Sequence, residues 1–310
     1  MHSKTRRRLA GSIAALPVLG TTSVRAQEAF PARPIRVIVP FSPGASDTQI
    51  RALAPLVSAR LGQQMTVENA PGGGGVIGAN RVRTAPADGY TLFFTGMATL
   101  TLVPAMRTDV PFKLSAFTPV AGISNVTGVM IVHANSPYRT FAELVAAAKQ
   151  NPGTINFASP GVGSAGHTMG LGPQTYGGFT MTHVPYKGGA DVVQAVLSES
   201  VQVGCVLPSL SVPQMQAGRL RALAVTAGKR SEFLPDVPTY REAGIDYTDS
   251  ETYGLVAPQG TPEAVVQKIA EAVAESVKDP AFRETMRKTF TSVEYLSPAQ
   301  YRAALLERER

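Results

Sequence analysis

The apolar and polar positions along the chain fall into repeated pairs, a short apolar run followed by an amphipathic one. The first pair is the clearest. Ile35, Val37, Ile38 and Val39 form a β-branched run, which predicts a strand buried on both faces. Pro40, unable to donate to a sheet ladder, stops it. A turn of small residues at 42–46 follows, and Asp47 is expected to cap a helix in which Ile50, Leu53, Ala54, Val57 and Leu61 recur at helical spacing. Such a strand–loop–helix unit brings free backbone N–H groups and the positive end of a helix to the carboxyl edge of a sheet, which suits a small anion. An ordinary βα turn has the same pattern, so this stretch alone leaves both readings open.

The pattern repeats down the chain. A strand is expected at 65–68, broken by Asn69-Ala70-Pro71, with Gly72 to Gly75 opening a helix over 76–84. Residues 91–95 read as a strand entered through the turn Asp88-Gly89-Tyr90, and 96–101 as a hydroxyl-rich loop that includes Thr99. Further strands are expected at 117–123, 126–133 and 155–158. Before the last of these, Thr140 caps a helix over 141–149 with Phe141, Leu144, Val145 and Ala148 on one face. A second small-residue loop, S-P-G-V-G-S-A-G-H, occupies 159–167. Helices at 262–278, capped by Thr261, at 280–289, and at 298–308, with a capping box from Ser297 to Gln300, read as structural. Strand alternating with helix predicts an α/β fold with parallel sheets, and 310 residues suffice for two domains.

Charge and cysteine content remove several function classes. The formal charge of +7 includes Lys4, Arg6, Arg7, Arg8 and Arg25; without them 24 basic residues face 22 acidic ones. No basic block remains in the body, so a nucleic-acid partner is not expected. Those five cations belong to a leader of signal-peptide type over 1–26. It has a basic start ending at Arg8, an apolar segment at 9–19 too short to span a bilayer, and a small-x-small site at Val24-Arg25-Ala26. The leader predicts export to the periplasm with cleavage after Ala26, by the general or the twin-arginine route. Cys205 is the one cysteine, which excludes an internal disulfide and a thiolate metal cluster, and its apolar surroundings predict an inert core residue. Gly73, Gly75 and Gly78 satisfy a G-x-G-x-x-G spacing, but Pro71 separates strand from glycines and no acid follows at the distance a ribose requires. No cofactor is expected, and the two imidazoles His167 and His183 lack a third ligand for a metal.

An ordered set of short motifs carries a family resemblance. Pro40-Phe41 with Gly44, Val67-Glu68-Asn69-x-Pro71-Gly72, and Asp88-Gly89-Tyr90-Thr91-Leu92 come first. Ala158-Ser159-x-Gly161-x-Gly163-Ser164, His183-Val184-Pro185-Tyr186-Lys187-Gly188, Ala217-Gly218-Arg219-Leu220-Arg221-Ala222-Leu223-Ala224-Val225 and Leu234-Pro235-Asp236-Val237-Pro238-Thr239 follow in order. Together they resemble the Bug family, the periplasmic solute-binding proteins of tripartite tricarboxylate transporters, over essentially the whole chain after the leader.

The resemblance implies a type II periplasmic binding protein. Two α/β domains, 27–125 plus 251–310 and an inserted 126–250, would be joined by two crossing segments and close on a small carboxylate. It implies ligand contacts from Phe41, Ser42, Gly44, Ala45 and Asp47 in one domain and from Ser159, Gly161, Gly163, Ser164 and His167 in the other, with Thr99 and Tyr186 as further candidates. Small residues there would let backbone donors approach an anion as closure removes water. The sequence also departs from the family pattern. Ala45 stands where a second glycine is usual, in a loop one residue shorter, and no acid follows His167. Gln202 and Val206 stand where aspartates are common, which points away from an amino-acid ligand. The partner implied is a membrane transporter or a sensor kinase, with the protein a monomer. An enzyme on the same scaffold would draw on His167, Ser164 and Asp47, but Val162 occupies the first glycine position of a nucleophile elbow and no paired acids accompany it.

Overall fold

The computed structural model describes residues 30–309; the expected leader and the side chain of Ala45 lie outside the described residues. β1 (Ile35–Val39) leads into α1 (Ala45–Leu61), β2 (Met65–Asn69) into α2 (Val76–Arg83), and β3 (Thr91–Gly96) into α3 (Met97–Met106). β4 (Phe117–Val126) then carries the chain into a second unit: β5 (Val129–His133), α4 (Phe141–Gln150), β6 (Asn156–Ser159), α5 (Ala165–Gly177), β7 (Thr182–Pro185) and α6 (Gly189–Leu197). That unit ends with β8 (Val203–Val206), α7 (Pro208–Gln216) and β9 (Leu220–Val225). β10 (Glu251–Pro258) returns to the first unit, which α8 (Glu263–Ser276), α9 (Pro280–Lys288), β11 (Ser292–Leu296) and α10 (Pro298–Glu309) complete.

The six-stranded sheet has the order β11-β4-β10-β3-β1-β2 and the five-stranded sheet β7-β6-β8-β5-β9. Both are mixed, which corrects the expectation of parallel sheets. β1 pairs in parallel with β2 and β3, but β10 runs antiparallel to β3 and β4, and β5 antiparallel to β8 and β9. The reason lies in the crossings, since β4 runs on into β5 and β10 comes back from the other sheet.

β1 is buried as its composition requires. Ile35, Val37 and Val39 pack with Ile50, Leu53 and Val57 of α1 and with Ile269 of α8, while Ile38 faces Val82 of α2 and Tyr301 of α10. Phe141, Leu144 and Ala148 of α4 cover one face of the second sheet with Met169 of α5, and Val192 and Val196 of α6 cover the other. Thr140 forms the expected capping box with Glu143. Three local expectations are corrected. Residues 97–101 are not a loop, because β3 passes directly into α3, whose Ala98 N–H donates to the buried Glu251 carboxylate (2.8 Å) in place of a local cap. Asp47 is not the cap of α1; Gly44 holds that position in extended backbone and Asp47 lies in the first turn. Pro262, not Thr261, precedes α8.

The crossings are bonded to one another. Gly128 N–H donates to Thr226 Oγ1 (3.0 Å), Thr226 N–H to Gly128 O (3.1 Å), and Thr226 Oγ1 to Asp249 O (2.7 Å). No helix among the described residues is long and apolar enough to cross a membrane.

Candidate functional site

The carboxyl ends of β1, β6 and β8 meet between the two sheets at a partly open cavity of about 40 Å³. Phe41, Ser42, Gly44 and Ser46 line it from the β1–α1 loop, and Pro160, Ser164, Ala165, Gly166 and Met169 from β6–α5. Gly189 at the start of α6, then Cys205 to Leu207 with Leu210, and finally Tyr253 of β10 complete it. Four helices begin at its wall: α1, α5, α6 at Gly189 and α7 after Leu207. The amides of Ser46 and Asp47 in α1, and of Ala165 and Gly166 in α5, find no partner among the described residues, as expected for first-turn N–H groups. Ser46 is 5% and Tyr253 6% exposed, both line the cavity, and neither hydroxyl makes a hydrogen bond among the described residues. Neither hydroxyl oxygen is sealed from solvent, so each faces cavity space in which a bound molecule or water can meet it. Among the described residues no Lys, Arg, His, Asp or Glu lines the cavity.

The expected site residues divide into two groups. Phe41, Ser42, Gly44 and Ser164 lie on the cavity wall, and Ala45 contributes the backbone of the first turn of α1. The others support it or lie beside it. Asp47 receives Arg51 Nε (2.8 Å); Arg51 reaches Asn69 Oδ1 (3.0 Å), and Asn69 Nδ2 donates to Phe41 O (3.0 Å). This chain of bonds holds the first loop from behind. Thr99 is buried in α3 against Gly75. Gly161 and Tyr186 line a separate open cavity of about 790 Å³ with Gly74, Arg107 and Lys187.

The second loop is bonded to itself. Ser164 Oγ donates to Gly161 O (2.7 Å) and accepts His167 N–H (3.3 Å), so it caps α5, whose start at Ala165 shortens the expected loop. His167 Nδ1 accepts Gly163 N–H (3.1 Å), which requires an unprotonated nitrogen. Its ring stacks on His183 with centroids 4.1 Å apart, and His183 Nε2 lies 2.7 Å from Ser159 Oγ. Burial pushes the His167 imidazolium below its ordinary range; burial, with the neighbouring His167, brings His183 down to about 4. Both rings are therefore neutral near pH 7 and serve the loop, not the cavity. Cys205 is fully buried, as expected, and burial pushes its thiol up. Among the described residues no three His, Cys, Asp or Glu side chains gather in a metal-binding group.

The two units touch across this region through glycines. A Cβ at Gly161 would lie 2.8 Å from Gly74 Cα, one at Gly163 2.7 Å from Val103 Cα, and one at Gly188 3.1 Å from Ser42 Cβ. Gly74, Gly161 and Gly163 also have φ of 67°, 129° and 79°, the left-handed region that favours glycine. Sequence reading missed Ser46 as a site residue, seeing only a turn of small residues at 42–46. An unpartnered hydroxyl becomes visible only when strands distant in sequence are assembled.

Two α/β units with paired crossings and a cavity at the strand ends between them define a type II periplasmic solute-binding protein. Comparison with known proteins agrees. The model of the tripartite tricarboxylate transporter family receptor matches residues 49–308, and the chain belongs to that family. It is 35% identical to the "UPF0065 protein in gbd 5'region" of Cupriavidus necator, over 94% of this chain and 90% of that one. The structure of the periplasmic binding protein BugD superposes with a TM-score of 0.85 at 29% identity, covering 90% of this chain and 95% of that one. MatC from Rhodopseudomonas palustris with bound malate does so with a TM-score of 0.85 at 28% identity, covering 90% and 97%. The family comprises periplasmic transporter receptors, not enzymes.

Proposed function

We propose that this protein captures a small carboxylate in the cavity between its two sheets and, closed around it, is recognised as a monomer by a tripartite membrane transporter. The supporting observation is the cavity between the sheets itself. Free amides of helix starts and the hydroxyls of Ser46 and Tyr253 converge on a space that no formally charged side chain lines among the described residues. Such donors stabilise an anion that has left water, because they are fixed before it arrives. The malate bound by the MatC relative is consistent with this chemistry. The moving bodies in this reading are 27–125 plus 251–310 and 126–250, hinged where Gly128, Thr226 and Asp249 are bonded. Export would remove the leader after Ala26, leaving Gln27 as the first residue.

A thermal-shift panel of organic acids, amino acids and sugars tests the reading. Stabilisation by acids is expected, and stabilisation by sugars alone would refute it. Intact mass of periplasmic material is expected to begin at Gln27. A leader left on soluble cytoplasmic protein would remove the export claim.

A further inference from the structure

We infer that Arg107 is a positioning residue for closure: its guanidinium ties the glycine loop 72–75 to α3, and loop and helix together grip residues 161–163 of the other unit. This rests on the hinge closure proposed above. The grip is built from backbone. A Cβ on Gly74 would stand 2.5 Å from Val162 O, and one on Gly161 would stand 3.0 Å from Gly74 N. On the other side Gly163 meets Val103 of α3. The second loop therefore enters between two parts of the first unit. The same loop places a wall of the cavity, since Gly161 O accepts the Ser164 hydroxyl and Ser164 caps α5.

The glycine loop needs an outside tie to keep that shape. Gly72, Gly73, Gly74 and Gly75 take φ of 127°, 62°, 67° and 101°, and glycine loses more backbone freedom on ordering than any other residue. A run of four glycines also has no side chain to pack. Among the described residues one side chain hydrogen-bonds its backbone: Arg107 Nη1 donates to Gly73 O (2.7 Å). Arg107 directly follows α3, so this bond joins the two sides of the grip. Asp109 aims it. Arg107 Nε and Nη2 donate to the two Asp109 carboxylate oxygens (2.9 and 2.6 Å), a planar fork that leaves Nη1 directed at the loop. Lys187 and Asp191 of the other unit line the same open cavity as Arg107 but form no ion pair among the described residues, so no charge pair across this seam shares the task.

The test is hydrogen exchange of the mature protein, read by mass spectrometry without added solute. In Arg107→Leu, exchange is expected to rise about tenfold or more over 72–78 and, together with it, over 161–164. The amides of Gly161, Gly163 and Ser164 bond within their own loop and make no bond to Arg107, so a purely local brace would leave them unmoved. Asp109→Asn alters an exposed side chain and is expected to give a smaller rise in the same two segments, with α8 unchanged in both variants. It decides alone if Arg107→Leu does not fold. A rise confined to 72–78, unchanged exchange in both segments, or full-rate exchange of both in the wild type would each overturn the inference. Because no solute is used, the outcome is separate from the thermal-shift panel: stabilisation by sugars alone would refute carboxylate capture and leave the role of Arg107 standing.

Discussion

Ser164 and Ser46 show how differently two serines at helix starts can serve one site. The Ser164 hydroxyl is committed on both sides, to Gly161 O and to His167 N–H, so its contribution is a helix cap. Ser164→Ala is expected to cost about 1 kcal/mol of stability in urea denaturation, in the range of lost N-caps. The Ser46 hydroxyl lines the cavity and makes no hydrogen bond among the described residues. Losing a hydrogen bond to a charged partner costs roughly 1.5–3 kcal/mol, so Ser46→Ala should weaken solute binding by about one to two decades. Its unliganded stability should stay unchanged, since no protein bond is lost. Calorimetry and denaturation on the two variants separate these roles, and equal affinity in Ser46→Ala would remove Ser46 from the site. The sequence reading named Ser164 because it stands in a motif and passed over Ser46 because the side-chain direction is not written in one dimension. Phe41, Ser42 and Gly44 were legible for a simpler reason: the loop that directly follows a buried strand must emerge at the sheet's carboxyl edge.

Among elements, α10 reaches furthest beyond its structural reading. Arg308 Nη2 lies 3.0 Å from Asp249 Oδ1 and 3.2 Å from Glu251 Oε2, and Arg308 Nη1 donates to Ser250 O (2.7 Å). Asp249 Oδ2 in turn accepts Thr168 Oγ1 (2.9 Å) from α5 and the Tyr247 hydroxyl (3.2 Å). The C-terminal helix of one unit is thereby joined to the second crossing and to a cavity-lining helix of the other. Glu251 is 1% exposed and shares one guanidinium with Asp249; burial outweighs the attraction of Arg308 and raises its carboxyl from the ordinary 4.5 to about 7. An acid that holds its proton more tightly when folded stabilises most below about pH 4.5 and loses that contribution as pH rises through about 7. Wild type should therefore be less stable relative to Glu251→Gln at pH 8 than at pH 5, read from urea midpoints at both values. His183 has the opposite sign. Held neutral down to about 4 against an ordinary 6.5, it contributes fully above pH 6.5 and loses that contribution as pH falls through about 4. Removing the imidazole with His183→Phe should weaken the acid limb of a stability profile; an unchanged limb would mean that the stacked pair is not buried as described. The sequence hid this arrangement because α7, β9 and β11 carry weak periodicity and Arg308 sits near the chain's end, where its partners 57 and 59 residues earlier leave no local signal.

At the scale of the whole molecule, the fold was largely legible and the closure was not. Buried β-branched runs alternating with amphipathic helices sufficed for two α/β units, while the antiparallel strands needed the crossings to be seen in space. Closure depends on backbone meeting backbone where glycines face each other, Gly74 against Gly161 and Gly163 against Val103. Gly74→Val places a side chain on Val162 O and forces φ of 67° on a β-branched residue. It should hold the units apart and increase the radius of gyration in X-ray scattering. The central claim is that an organic acid is held between the two sheets, and native mass spectrometry of gently isolated mature protein tests it most directly. The account predicts one small acid per chain, displaced by an added organic acid and absent from Gly74→Val. A sugar in its place, or the same acid retained equally by Gly74→Val, would contradict it.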